Sequence, residues 1–144
     1  VATRFAADAE RLAPVIEPLW DRFHLVDGEF KQVVAAWQVR EVDGAQLPND
    51  HADAAYDAGV VDRLRLEVHP RIVELIEVVA ATEPRFVRYI RRLETALEAI
   101  DAGDPEMVAH PLRDSYHTVW FELHEELIRL SGRNRAEEAA AGRA

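Results

Sequence analysis

The stretch from Asp114 to Ser131 constrains the fold more than any other part of the chain. Tyr116, Trp120, Leu123, Leu127 and Leu130 recur at helical spacing, so one helix can lay a broad apolar stripe against a core. His117, Phe121, His124 and Ile128 form a second row beside it. Two imidazoles therefore stand at i and i+7, two helical turns apart, on the edge of a face that must be buried.

The preceding segments carry the same period. Phe5, Ala9, Leu12, Ile16, Leu19 and Phe23 outline an amphipathic helix that Pro14 and Pro18 interrupt. Proline removes a backbone donor and clashes with the preceding turn, so a kink or fresh start is expected near Pro14, then one helix to about His24. Asp27 reads as the N-cap of a second helix through about Arg40, burying Phe30, Val33, Val34 and Trp37. The polar run from Glu41 to His51, with Gly44 and Pro48, reads as the longest loop. A third helix starts near Asp53 with Tyr56, Val60, Leu64 and Val68 on one side. It breaks at His69-Pro70 and resumes through Ile72, Ile76 and Val79 to about Ala81.

Thr82 and Pro84 mark cap and first turn of a fourth helix, whose Phe86, Ile90, Leu93, Leu97 and Ile100 keep the cleanest period. Gly103 is its C-cap, and Asp104-Pro105 opens a short turn to His110-Pro111, after which the last helix runs to Gly132. The Ala- and Glu-rich tail from Arg133 is expected to fray. No alternating strand pattern of useful length appears. The expected fold is all-α: a single domain over residues 1–144, an up-and-down bundle of about five main helices, several kinked by proline. Val1 in place of Met fits a processed terminus or the C-terminal piece of a longer protein.

Composition narrows the functional classes. Hydrophobic residues make up 49%, as in globular proteins. The net charge of −10, from 27 acidic and 17 basic residues, opposes direct contact with nucleic-acid phosphates. No apolar run approaches the roughly 18 to 20 residues of a membrane span, and the N-terminal residues do not resemble a signal peptide. With no cysteine, disulfides and thiolate metal sites are excluded. A cytoplasmic setting is the expectation.

The aromatic-histidine helix carries the strongest chemical signal. Its imidazoles lie about 10 Å apart along the axis, too far to share one metal, and no i, i+4 histidine pair exists. No metal site is therefore expected, and no cofactor is identifiable. His69 and His110 each precede a proline, where side chains can turn into a cleft, and a convergence of His69, His110 and His117 is conceivable on that basis. Arg85, Arg88 and Arg92 stand at i, i+3 and i+7, either as an anion cradle or, more simply, as a solvated row pairing with acidic partner helices. Trp20, Trp37 and Trp120 read as core anchors. Walker, nucleophile-elbow and Gly-rich phosphate motifs are absent.

Three stretches carry a resemblance: Glu29-Phe-Lys-Gln-Val-Val-Ala-Ala-Trp-Gln38, Asn49-Asp-His-Ala-Asp-Ala-Ala-Tyr-Asp57, and Ser115-Tyr-His-Thr-Val-Trp-Phe-Glu-Leu-His-Glu-Glu-Leu127. They resemble an actinobacterial helical domain found at the C-terminal end of larger proteins. Those proteins carry a winged-helix-like segment and, in some, a mobile domain like that of phosphoenolpyruvate-utilising enzymes. The resemblance implies context rather than mechanism and transfers no catalytic residue.

The leading expectation is a ligand-sensing or protein-interaction module that regulates or docks a neighbouring domain or subunit. Its site residues would be Trp37, His51, Asp114, Tyr116, His117, Trp120 and His124, around a small-molecule ligand. The alternatives are a small cofactor-free enzyme using His117 or His124 as acid-base with Asp114 as orienter, and a structural homo-oligomeric bundle.

Overall fold

A computed structural model of the chain describes residues 2–131 and Ala140, with side chains from Ala7 onward. The expected Phe5 contact and the fraying of the tail lie outside the described residues. Among the described residues the protein is mostly α-helical, 77%, in four joined helices with a small two-stranded sheet. In chain order, α1 (Ala2–Ile16) and α2 (Trp20–Gln38) are joined by a 3-10 turn at Glu17–Leu19. A hairpin of β1 (Val39–Val42) and β2 (Ala45–Pro48) follows. Then α3 (Ala54–Arg63) passes through a π-helical turn, Leu64–Val68, into α4 (His69–Ala80). A 3-10 turn at Pro84–Phe86 opens α5 (Val87–Asp101), another at Pro105–Val108 leads on, and α6 (Tyr116–Leu130) completes the set.

Several expectations need correction, each for a local reason. The first break falls at Pro18 rather than near Pro14. Pro18 opens a new turn, where its missing N–H has no helical partner to lose, while Pro14 stays inside α1. Asp27 is no N-cap: α2 is continuous from Trp20, and Asp27 lies mid-helix on the buried face. His69-Pro70 does not break the helix. The backbone widens by one residue, so that His69 N–H reaches Leu64 O, and the proline ring is accommodated without ending the rod. Five expected helices thus become four joined ones.

The second helix stops at Gln38 rather than near Arg40, and a hairpin from Val39 to Pro48 occupies most of the expected loop, paired antiparallel with Val39 opposite Pro48 and Val42 opposite Ala45. Its two-residue connection, Asp43-Gly44, has positive φ at both positions (51° and 81°), the geometry whose twist matches paired strands.

Thr82 is not the cap of the fourth helix, since Glu83 holds the N-cap position of the Pro84–Phe86 turn and makes no side-chain cap bond; two other boundaries agree with the expectation. Asp53 caps α3 by accepting from Tyr56 N–H at 3.1 Å, and Gly103 takes the left-handed conformation (φ 99°) after α5. Ser115 caps α6, accepting from Thr118 N–H at 3.3 Å.

The core is gathered around α6. Tyr116, Trp120, Leu123, Leu127 and Leu130 are all buried, as are Trp20 and Trp37. The helix packs on α1 and α5, and Trp120 stacks on Phe30 of α2 with centroids 4.2 Å apart. Tyr116 is fully enclosed, and its hydroxyl meets His69 Nδ1 at 2.9 Å, tying α6 to the start of α4. Burial pushes the Tyr116 phenol up and His69 down, so the pair is held in its uncharged forms and joined by a neutral hydrogen bond. Tyr116→Phe removes that bond while keeping the ring. Its expected cost is about 1 kcal/mol in urea denaturation, with helix content unchanged by circular dichroism.

Candidate functional site

A recess of about 170 Å³ opens between α2 and α6. Its walls are Phe30, Val34, Trp120 and Phe121, and its polar groups are Asp27, Lys31, His117 and His124. Periodicity explains how the helices present them. Phe23, Asp27, Phe30 and Val34 follow one another at i+4, i+3 and i+4 on α2, facing the row of His117, Trp120 and His124 on α6. Phe121 is 49% exposed at the mouth, whereas Trp120 is 2% exposed behind it.

Asp27 is the group around which the polar part is built. It is only 3% exposed, and a buried carboxylate is costly unless hydrogen-bonded and paired. Trp120 Nε1 donates to Oδ1 at 2.9 Å, and Lys31, one turn on, places Nζ 3.2 Å from Oδ2. His124 Nδ1 stands 3.9 Å from Oδ1. The imidazole of His124 is buried and packs on Phe23 with centroids 5.0 Å apart. His117 is half-buried beside Phe30, and desolvation lowers its pKa below the ordinary 6.5. The recess therefore offers an anionic floor, an uncharged imidazole and aromatic sides.

Only part of the expected site converges here. His117, Trp120 and His124 share the recess; Tyr116 lies in the core behind it. Trp37 and His51 pack with their rings tilted and centroids 4.5 Å apart in a separate, wider cleft at the base of the hairpin, together with His110. Asp114 does not orient His117: it is clamped by Arg92, which also holds Glu122 at 2.6 Å, and this contact lowers its pKa. The convergence of His69, His110 and His117 is likewise corrected, since His69 is engaged by Tyr116 and His110 faces the hairpin. The arginine row follows the simpler reading, with Arg85 on Glu126 and Arg92 on Asp114 and Glu122 of the last helical segment. An enclosed apolar space of about 20 Å³ beside Trp20 and Phe23 is room for little more than one water and is a packing gap.

Asp27 and Lys31 were not among the expected residues. A signal was present: a carboxylate in register with the apolar stripe of α2, one turn before the only lysine in the chain. Among the described residues, no group of three or more histidine or acidic side chains is placed to hold a metal ion. No family model matches the chain, and no curated protein or solved structure is significantly similar to it.

Two outcomes test this geometry. Asp27→Ala leaves the buried Trp120 N–H without its acceptor and is expected to cost about 1–3 kcal/mol. Asp27→Asn keeps an oxygen there and should cost clearly less; equal losses would refute the acceptor role. For His117, the unfolded ring takes up a proton near pH 6.5 that the desolvated folded ring resists. Its stabilising contribution is complete above that pH and declines as pH falls through the lowered folded-state value; His69 acts in the same sense. Wild type should accordingly lose more unfolding free energy between about pH 7.5 and 5.5 than His117→Gln does, measured by urea denaturation at each pH.

Proposed function

We propose that this chain is a helical ligand-binding module of a cytoplasmic protein. In this reading a small molecule enters the recess between α2 and α6, and its occupancy regulates or docks a neighbouring domain or subunit. The observation that carries the reading is the buried Asp27, reached by Lys31 and Trp120 and bordered by aromatic rings, one of which is half open to solvent. Buried ionic groups of this kind contribute little net stability compared with apolar packing, so their presence beside an accessible recess favours recognition. The resemblance to a domain placed at the end of larger proteins supports a role exercised next to other domains.

Electrostatics select the ligand class. The Asp27 carboxylate is matched by Lys31 at 3.2 Å, His117 is held uncharged, and the whole chain carries −10, so a small anion gains little net attraction. An aromatic amine fits better. Its ring lies along Phe30, Trp120 and Phe121 while its ammonium competes with Lys31 for Asp27. The acid-base alternative is weaker, because the carboxylate assigned to orient His117 is engaged by Arg92.

Phenethylamine is the probe. Trp120 borders the recess, so binding should give a saturable change in tryptophan fluorescence. Lys31→Ala frees Asp27 and should tighten binding several-fold, and Asp27→Asn should weaken it about tenfold or more, equivalent to about 1.4 kcal/mol. A non-saturating response in wild type, or Lys31→Ala binding more weakly than wild type, would sink the reading.

A further inference from the structure

The cleft at the base of the hairpin is a second, chemically distinct place. It measures about 530 Å³ and is bordered by Trp37, Gln38, Asn49, His51, Glu106 and His110, among others. Its shape is set by Asn49, which is 8% exposed and fully committed. The Asn49 amide nitrogen donates to Trp37 O and to Asp57 Oδ1, both at 2.9 Å, and its Oδ1 accepts from His51 N–H at 3.1 Å. That last bond fixes His51 at a positive φ of 60°, a conformation few side-chain-bearing residues adopt. The imidazole is backed by Trp37 on one face and tied to Asp57 Oδ2 through Nδ1 at 2.9 Å.

These bonds assign the protons. Both amide hydrogens of Asn49 are used elsewhere, so its 3.3 Å approach to His51 Nδ1 is a contact rather than a donation. His51 Nδ1 therefore donates to the Asp57 carboxylate, and in the uncharged ring Nε2 carries the lone pair. His110 is the mirror case. Its Nδ1 accepts the backbone N–H of Leu112 at 3.1 Å, so the proton sits on Nε2. In each ring the nitrogen left for the cleft is Nε2, an acceptor on His51 and a donor on His110.

The remaining lining selects against ions. Glu106 is the charged side chain of the wall, and no lysine or arginine among the described residues lines it. Glu106 is itself paired with Arg113 at 3.4 Å, so the charge in the wall is already matched and gives an ionic ligand no counter-charge of its own. We propose that this cleft is a second binding site for an uncharged planar amide or lactam, which donates to His51 Nε2 and accepts from His110 Nε2. The site is separate from the recess between α2 and α6, with which it shares no lining residue.

The test uses imidazole ¹⁵N resonances of the intact chain, titrated with 2-pyridone and with N-methyl-2-pyridone, which lacks the N–H donor. The expected result is protonated Nδ1 on His51 and protonated Nε2 on His110. Both rings should then shift saturably with 2-pyridone, and at least tenfold more weakly with the methylated compound. His110→Phe should weaken 2-pyridone binding to a similar degree. Should that variant not fold, the comparison of the two pyridones on wild type decides alone. Unmoved His51 and His110 resonances, equal response to both compounds, or shifts confined to His117 would overturn the proposal.

Discussion

The hydrogen bond from Trp120 Nε1 to Asp27 at 2.9 Å is the contact on which the helix arrangement turns. It joins the midpoint of α2 to the midpoint of α6 in a region where neither partner sees bulk water, with both residues under 4% exposed. In such surroundings each group is expensive without the other, so the register between the two helices is specified, not merely favoured by apolar contact. The stacking of Phe30 on Trp120 and the packing of Phe23 on His124 follow from that register. A one-residue slip of α2 would turn Asp27 away and leave the indole N–H buried and unmet. The same bond gives the recess its anionic floor, so fold specification and candidate chemistry share an atom.

A second layer of order lies at the surface. Arg92 grips Asp114 and Glu122, Arg85 reaches Glu126, and Arg11 joins Glu83 at 2.5 Å while donating to Thr82 O. Exposed pairs of this kind contribute little individually. Glu126 differs because it is 9% exposed and also receives the hydroxyl of Tyr89, whose own ionisation burial pushes upward. Arg85, in the turn before α5, and Arg92 of α5 thus neutralise Glu126 and Glu122 of α6, which is how a strongly acidic chain brings these helices together without self-repulsion.

How much of this was legible from residues alone depended on which physical effect dominated locally. The apolar stripe of α6, the helix start near Asp53, the C-cap glycine at Gly103 and the buried tryptophans were readable because burial and capping act through neighbouring positions. The hairpin was not. Most of its strand residues are exposed on both faces, so no alternation exists to read, and only Asp43-Gly44 signalled the turn. Pro70 was overread as a break because a π-helical turn can absorb proline at the level of backbone geometry. Asp27 was misread because local capping propensity and long-range pairing with Trp120 compete for the same side chain, separated by 93 positions in sequence. Asp114 failed in the same way, drawn off by Arg92.

The two clefts are linked by one uninterrupted element. Val34 lines the recess and Trp37 the hairpin cleft, so adjacent turns of α2 serve both. No proline interrupts α2 between Trp20 and Gln38, and its last turn is fastened to the following segment by Asn49, Tyr56 and Arg40. Tyr56 donates to Ala36 O at 2.6 Å, and Arg40 lies over the Tyr56 ring at 4.1 Å while reaching Asp53. Displacing the Asp27 end of α2 would therefore load the Trp37–Asn49 bond at the other end, because a packed helix moves as a body and does not bend to absorb the shift. The separation of the expected site into two places is thus a consequence of α2 itself. Helical periodicity turns Asp27 and Val34 toward α6, and the next turn carries Trp37 to the base of the hairpin, where His51 and His110 line one cleft.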